Sequence, residues 1–120
     1  MPPPSHLAIA TGSVKRLLKE ETSYRKELAH QEAQLKALQD KIEKGEGNED
    51  GNGEFIVKQQ QTAIEQTKAV FGPLRERLDA AVVKLEDQIK LREQSGAPEQ
   101  EMEAAQAILE QVKAEKDASS

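Results

Sequence analysis

The 120-residue chain contains no cysteine, which excludes disulfides and thiolate metal sites and suits a reducing compartment. Tryptophan is absent too, and Tyr24, Phe55 and Phe71 are the only aromatic residues. So few rings cannot fill a thick, multilayered core, and they offer no stacking platform for single-stranded nucleic acid. No apolar run approaches the ~18 residues of a membrane span. The opening Met1-Pro2-Pro3-Pro4-Ser5-His6 has neither the charged start nor the apolar stretch of a signal peptide. A net charge of −5 argues against general affinity for nucleic acid. These exclusions leave an expectation of a soluble, intracellular protein that binds neither nucleic acid nor membrane.

What is present is the makeup of long helices, rich in Ala, Glu, Lys, Leu, Gln and Arg, with 36% hydrophobic and 32% charged residues. The organising stretch is residues 54–93. One seam at seven-residue spacing carries Val57, Ile64, Phe71, Leu78 and Leu85; the interleaved seam carries Gln60, Thr67, Leu74, Ala81 and Gln88. Steps of three and four fall on one stripe of a helix with 3.6 residues per turn. Ile56, Val70, Val82, Ile89 and Leu91 widen that stripe. A lone helix of ~60 Å is not stable in water, so it needs partners along most of its length.

Two flanking segments supply them. Residues 13–44 place Val14, Leu17, Glu21, Tyr24, Leu28, Gln31, Leu35, Leu38 and Ile42 on a seam, with Leu18 beside it. Thr11 or Ser13 is the expected cap, and residues 1–12, with three prolines, read as a flexible lead-in. The polar seam positions Glu21 and Gln31 read as places where the seam meets solvent, or as devices that fix register or partner choice. Residues 98–116 form the third helix, with Met102, Ala105, Leu109 and Val112 on its seam and Ile108 beside it. Pro98 suits its first turn and Gly96 the left-handed turn before it. Residues 117–120 read as a frayed tail. The expected fold is all-α: an elongated antiparallel three-helix bundle, coiled-coil-like, of one domain, with the second helix kinked at Pro73 but continuous. By length the third helix stops near Pro73, so three helices pack on one side of it and two on the other.

No motif implies catalysis, and no cofactor is called for. Asn48-Glu49-Asp50-Gly51-Asn52-Gly53 imitates the start of a calcium loop, but Asn48 replaces the first Asp and Gln59 falls where the chelating Glu belongs. No lysine follows a glycine in the frame of a nucleotide-binding loop. His6 and His30 are far apart in sequence, and no Ser or Thr has an evident partner base. The reading is a non-enzyme. Charge is uneven, however: residues 13–44 hold eight basic and six acidic side chains, against nine and sixteen elsewhere. Lys15, Arg16 and Lys19, followed by Arg25 and Lys26, make the first helix locally basic. That is either an ordinary solvated face or a docking surface for an acidic partner.

The run Ile9-Ala10-Thr11-Gly12-Ser13-Val14-Lys15-Arg16-Leu17-Leu18-Lys19-Glu20-Glu21, with Tyr24 and Glu27, resembles the opening of the tubulin-binding cofactor A family. Lys58-Gln59-Gln60, Val70 to Pro73, and Arg77-Leu78-Asp79-Ala80-Ala81 with Leu85 continue the likeness, as do Glu103-Ala104-Ala105-Gln106-Ala107-Ile108-Leu109 and Val112. The likeness covers residues 9–113, and the Thr-Gly-x-Val-Lys-Arg-Leu segment is its most specific part. The glycine-rich loop 45–53 departs from it, being longer than the family pattern. The resemblance implies a small three-helix protein that captures β-tubulin after the chaperonin, without nucleotide, and passes it toward later tubulin-folding cofactors. On that reading Lys15, Arg16, Lys19, Arg25 and Lys26 are the first candidates for contact with acidic β-tubulin. The competing reading is a self-associating coiled-coil adaptor; monomer and homodimer both stay open. A prefoldin-like subunit lacks support, because no alternating strand pattern separates the first two helices.

Overall fold

The computed structural model describes residues 3–46 and 51–119. Its elements are α1 (His6–Glu43), α2 (Gly53–Ser95) and α3 (Glu99–Ser119), and there is no strand among the described residues. The all-α helical bundle expected from the heptad seams is what forms. Asn48, Glu49 and Asp50 of the imitation calcium loop lie outside the described residues, as does Ser120 of the tail.

α1 starts well before residue 13, and this corrects the lead-in expected over residues 1–12. Pro3 and Pro4 precede the helix without entering it, and Ser5 is its cap. The Ser5 carbonyl accepts the Ile9 amide at 2.9 Å, and its Oγ accepts the Ala8 amide at 3.0 Å. A hydroxyl that satisfies the third helical amide is the usual N-cap arrangement. Thr11 and Ser13 do not cap: their hydroxyls donate back to the Leu7 and Ile9 carbonyls inside the helix, at 2.9 and 3.1 Å. The extra turns bring Leu7 into the core with no exposed surface.

Glycine ends both long helices. Gly45 has φ 81°, and it permits the Glu46 amide to reach the Lys41 carbonyl at 2.8 Å while its own amide reaches Ile42 at 3.0 Å. These are the two bonds of a Schellman closure. Gly96, with φ 87°, closes α2 through one bond to the Arg92 carbonyl at 2.7 Å. Pro98 then lends its carbonyl to the amides of Glu101 and Met102, so it stands one residue outside α3 as the capping position.

Pro73 sits inside α2, which runs through it as one helix and not two. The proline has no amide to donate to Ala69. The chain resolves into two compact units, one comprising Met1–Glu20 and Leu74–Ser120, the other Glu21–Pro73. The division between the two units therefore falls within α2, immediately after the proline.

In the first unit three helices share an aliphatic core. α1 contributes Leu7, Val14, Leu17 and Leu18; α2 contributes Leu74, Leu78, Leu85 and Ile89; α3 contributes Ala105, Ile108 and Val112. A Lys116–Asp79 ion pair at 3.0 Å joins the end of α3 to the early part of this α2 segment, as antiparallel packing requires. Ser5 donates its hydroxyl proton to Glu101, tying the start of α1 to the first turn of α3. The α3 seam turns slightly from the expected one: Ile108 is buried, while Met102 and Leu109 are half-buried. Leu91, expected to widen the α2 stripe, is 56% exposed.

The second unit is a two-helix layer with a thinner core. Ile64 and Glu21 are buried there, whereas Leu28, Gln31, Leu35, Leu38, Ile42, Val57 and Phe71 are half-buried. Tyr24 and Phe71 meet edge to face, with centroids 6.5 Å apart and planes at 77°. Glu21 does not mark contact with solvent; it is 2% exposed and bonded by Arg25 one turn later at 2.6 Å. Gln31 conforms better to the interrupted-seam reading, being half-buried, although its Oε1 is enclosed without a hydrogen-bond partner.

Candidate functional site

On α1, successive residues turn by about 100°, which decides where each basic side chain goes. In the first unit Leu7, Val14, Leu17 and Leu18 define the inward face, and Lys15, Arg16 and Lys19 lie on the outward one, all exposed. None of the three has an ion-pair partner among the described residues. Three cations on one and a half turns of solvated helix thus remain available to a partner. Their density sets them apart in a chain of net charge −5. In the second unit Lys26 is exposed, but Arg25 is half-buried and turned toward Glu21. Arg25 therefore stands apart from the other four candidates.

A second surface feature of the first unit was not evident from charge alone. α1 and α2 leave a groove of about 570 Å³ between them, lined on one side by His6, Ile9, Ala10 and Ser13 and on the other by Arg77, Ala80, Ala81, Lys84, Asp87 and Gln88. A continuation shares His6 and Gln88 and extends past Leu91 and Arg92 to Ser95. The signal in the sequence was the pair of alanines at 80 and 81 next to spaced basic residues, but such spacing is common on helices.

Among the described residues no group of three or more His, Cys, Asp or Glu side chains could hold a metal ion. Nor is any helix among them long and apolar enough to cross a membrane. His6 lines the groove, while His30 is exposed in the other unit.

Fold and surface together define an all-α bundle protein that meets its surroundings through solvated helix faces. The family profile described as Tubulin binding cofactor A matches residues 2–109. The chain belongs to that family. It is 34% identical over 109 residues to a rabbit (Oryctolagus cuniculus) protein named Tubulin-specific chaperone A, covering 91% of this chain and 92% of that one. The proteins of the same name from rat (Rattus norvegicus) and human (Homo sapiens) are each 33% identical with the same coverage. No solved structure gives a significant match.

Proposed function

We propose that this chain is a tubulin-folding cofactor that binds and holds β-tubulin folding intermediates downstream of the chaperonin, using no nucleotide and catalysing no reaction. The observation that carries the reading is membership of the tubulin binding cofactor A family over residues 2–109. The names of the relatives, Tubulin-specific chaperone A, support tubulin as the partner. The client is then passed to later tubulin-folding cofactors, in a cytoplasmic, cytoskeleton-associated setting. Capture by a helix-face binder needs preorganised surface and complementary charge, and no covalent chemistry.

Lys15, Arg16 and Lys19 are the proposed core of the contact with β-tubulin, with Lys26 in support. Arg25 has a lesser share, because Glu21 already engages its guanidinium. The test is co-elution of the purified chain with refolded β-tubulin on a sizing column, in buffer depleted of nucleotide. β-Tubulin is expected to co-elute and α-tubulin is not; equal capture of both, or of neither, overturns the proposal. Combined Lys15→Glu, Arg16→Glu and Lys19→Glu is expected to weaken capture about tenfold or more while helicity is unchanged, since complementary charge governs encounter. Capture at the wild-type level would remove these residues from the contact.

The second reading, a self-associating coiled-coil adaptor, is favoured by one observation. The seam of the two-helix unit is only half-buried from Leu28 to Ile42, a face that another helix could cover. Sedimentation of the free chain in dilute solution separates monomer from homodimer, and repeating it with β-tubulin separates the two readings.

A further inference from the structure

We propose that the groove between α1 and α2 in the first unit is a docking site for an acidic amphipathic helix of a protein partner. The inference rests on the reading above in taking that partner to be the captured client. It adds a second contact surface, distinct from the outward face of Lys15, Arg16 and Lys19.

The shape of the groove comes first. Its lining includes the small side chains of Ala10, Ala80 and Ala81, which leave room for a shallow channel between the two helices. Ile9 stands at the edge 55% exposed, and Leu91 lies farther along 56% exposed. With its continuation the channel follows α2 from Arg77 to Ser95, five turns, or about 27 Å at 1.5 Å per residue. A small ligand is enclosed by its site on most sides. A channel bounded by two long helices and open along its length suits a rod laid into it, with anchors recurring at i, i+3, i+4 and i+7.

Charge then selects the rod. Arg77 and Lys84 are both exposed, and neither has an ion-pair partner among the described residues. They stand seven residues apart, two turns along one face of α2, so they meet carboxylates placed two turns apart on a partner helix. Asp87 is the one acidic side chain lining the groove, in a chain whose overall charge is −5. The groove thus reverses the sign of the molecule around exposed apolar carbon. An acidic helix with one apolar stripe satisfies both features. A phosphate surface does not, because Arg77, Lys84 and Arg92, with Asp87 among them, neutralise little of a polyanion and leave Ile9 and Leu91 uncovered.

The probe is a fluorescein-labelled 18-residue synthetic helix with leucines on one stripe and glutamates flanking it, titrated by anisotropy with the full chain. Saturable binding is expected, weakened at least fivefold on going from 50 to 300 mM NaCl. Combined Arg77→Glu and Lys84→Glu should weaken it tenfold or more, and Ile9→Ser severalfold. All three side chains are solvent-exposed, so the helical spectrum should be unchanged. Lys15→Glu, Arg16→Glu and Lys19→Glu together should leave peptide affinity within twofold. Equal binding of a peptide with lysines in place of the glutamates, or indifference to Arg77→Glu and Lys84→Glu, overturns the groove assignment. If the wild-type chain captures no β-tubulin yet binds the acidic peptide through Arg77 and Lys84, the tubulin reading fails and the groove stands. If it captures β-tubulin and Arg77→Glu with Lys84→Glu changes neither capture nor peptide binding, the groove fails and the tubulin reading stands.

Discussion

At Ser5 a single hydroxyl serves two helices. It accepts the Ala8 amide, which starts α1 cleanly after the prolines, and gives its proton to Glu101 in the first turn of α3. Ser5→Ala removes both, and the loss of an N-cap alone costs about 1 kcal/mol. The expected result is a loss of ~1–2 kcal/mol in urea unfolding, non-additive with Glu101→Ala because the two side chains share one bond. Sequence reading placed the cap at Thr11 or Ser13, and the reason for the miss is physical. Three consecutive prolines weigh against helix, but each restricts only itself and the residue before it, so Ser5 and His6 were already free to begin. Glu21 was misjudged for a related reason. A carboxylate on a seam suggests water, yet the bond from Arg25 one turn on lets it stay in the interior.

Among the elements α2 is the one whose interior contains a proline, and its heptad seam carries through from Phe71 and Leu74 to Leu78. That seam was legible because the pattern was regular over about eight turns, from Val57 to Leu85, and a proline removes one hydrogen bond without disturbing the spacing of side chains. Less legible was the exact face of α3. In a helix of 21 residues, Ile108 and Leu109 both satisfy a three-four spacing, and only packing chooses between them. Pro73 is exposed, so Pro73→Ala empties no core position. Restoring an amide to meet the Ala69 carbonyl, it is expected to raise the unfolding free energy, by up to about 3 kcal/mol on helix propensity. The new amide at 73 should be slow to exchange with deuterium. A lower melting temperature would instead show that the proline's geometry is needed where the two units divide.

For the molecule as a whole, the two units differ in how much carbon they bury. Among the described residues, eleven buried apolar side chains from three helices hold the first unit, whereas Ile64 is the buried apolar residue of the second. Local opening tracks such differences. Amides in residues 21–43 and 53–73 are therefore expected to exchange deuterium through openings of lower free energy than core amides of residues 74–93 and 102–113. Uniform protection across both units would contradict this. Three helices and their aliphatic seams could be read without coordinates, because periodicity is a local signal. The groove beside Arg77 and Lys84 could not, since it exists only once α1 lies against α2, and neither helix carries the information alone.

The core of the first unit draws its side chains from both ends of the chain: Leu7 and Val14 at one, Ala105 and Val112 at the other. On the ribosome the α1 residues are made before their α3 mates and wait, without them, until α3 has been translated. Of the two units, Glu21–Pro73 is the one made of a single continuous segment, so it can close on itself before α3 is made. A premature stop anywhere before α3 would accordingly release a product with its leucines bare, a substrate for quality control and not a shorter version of the same protein.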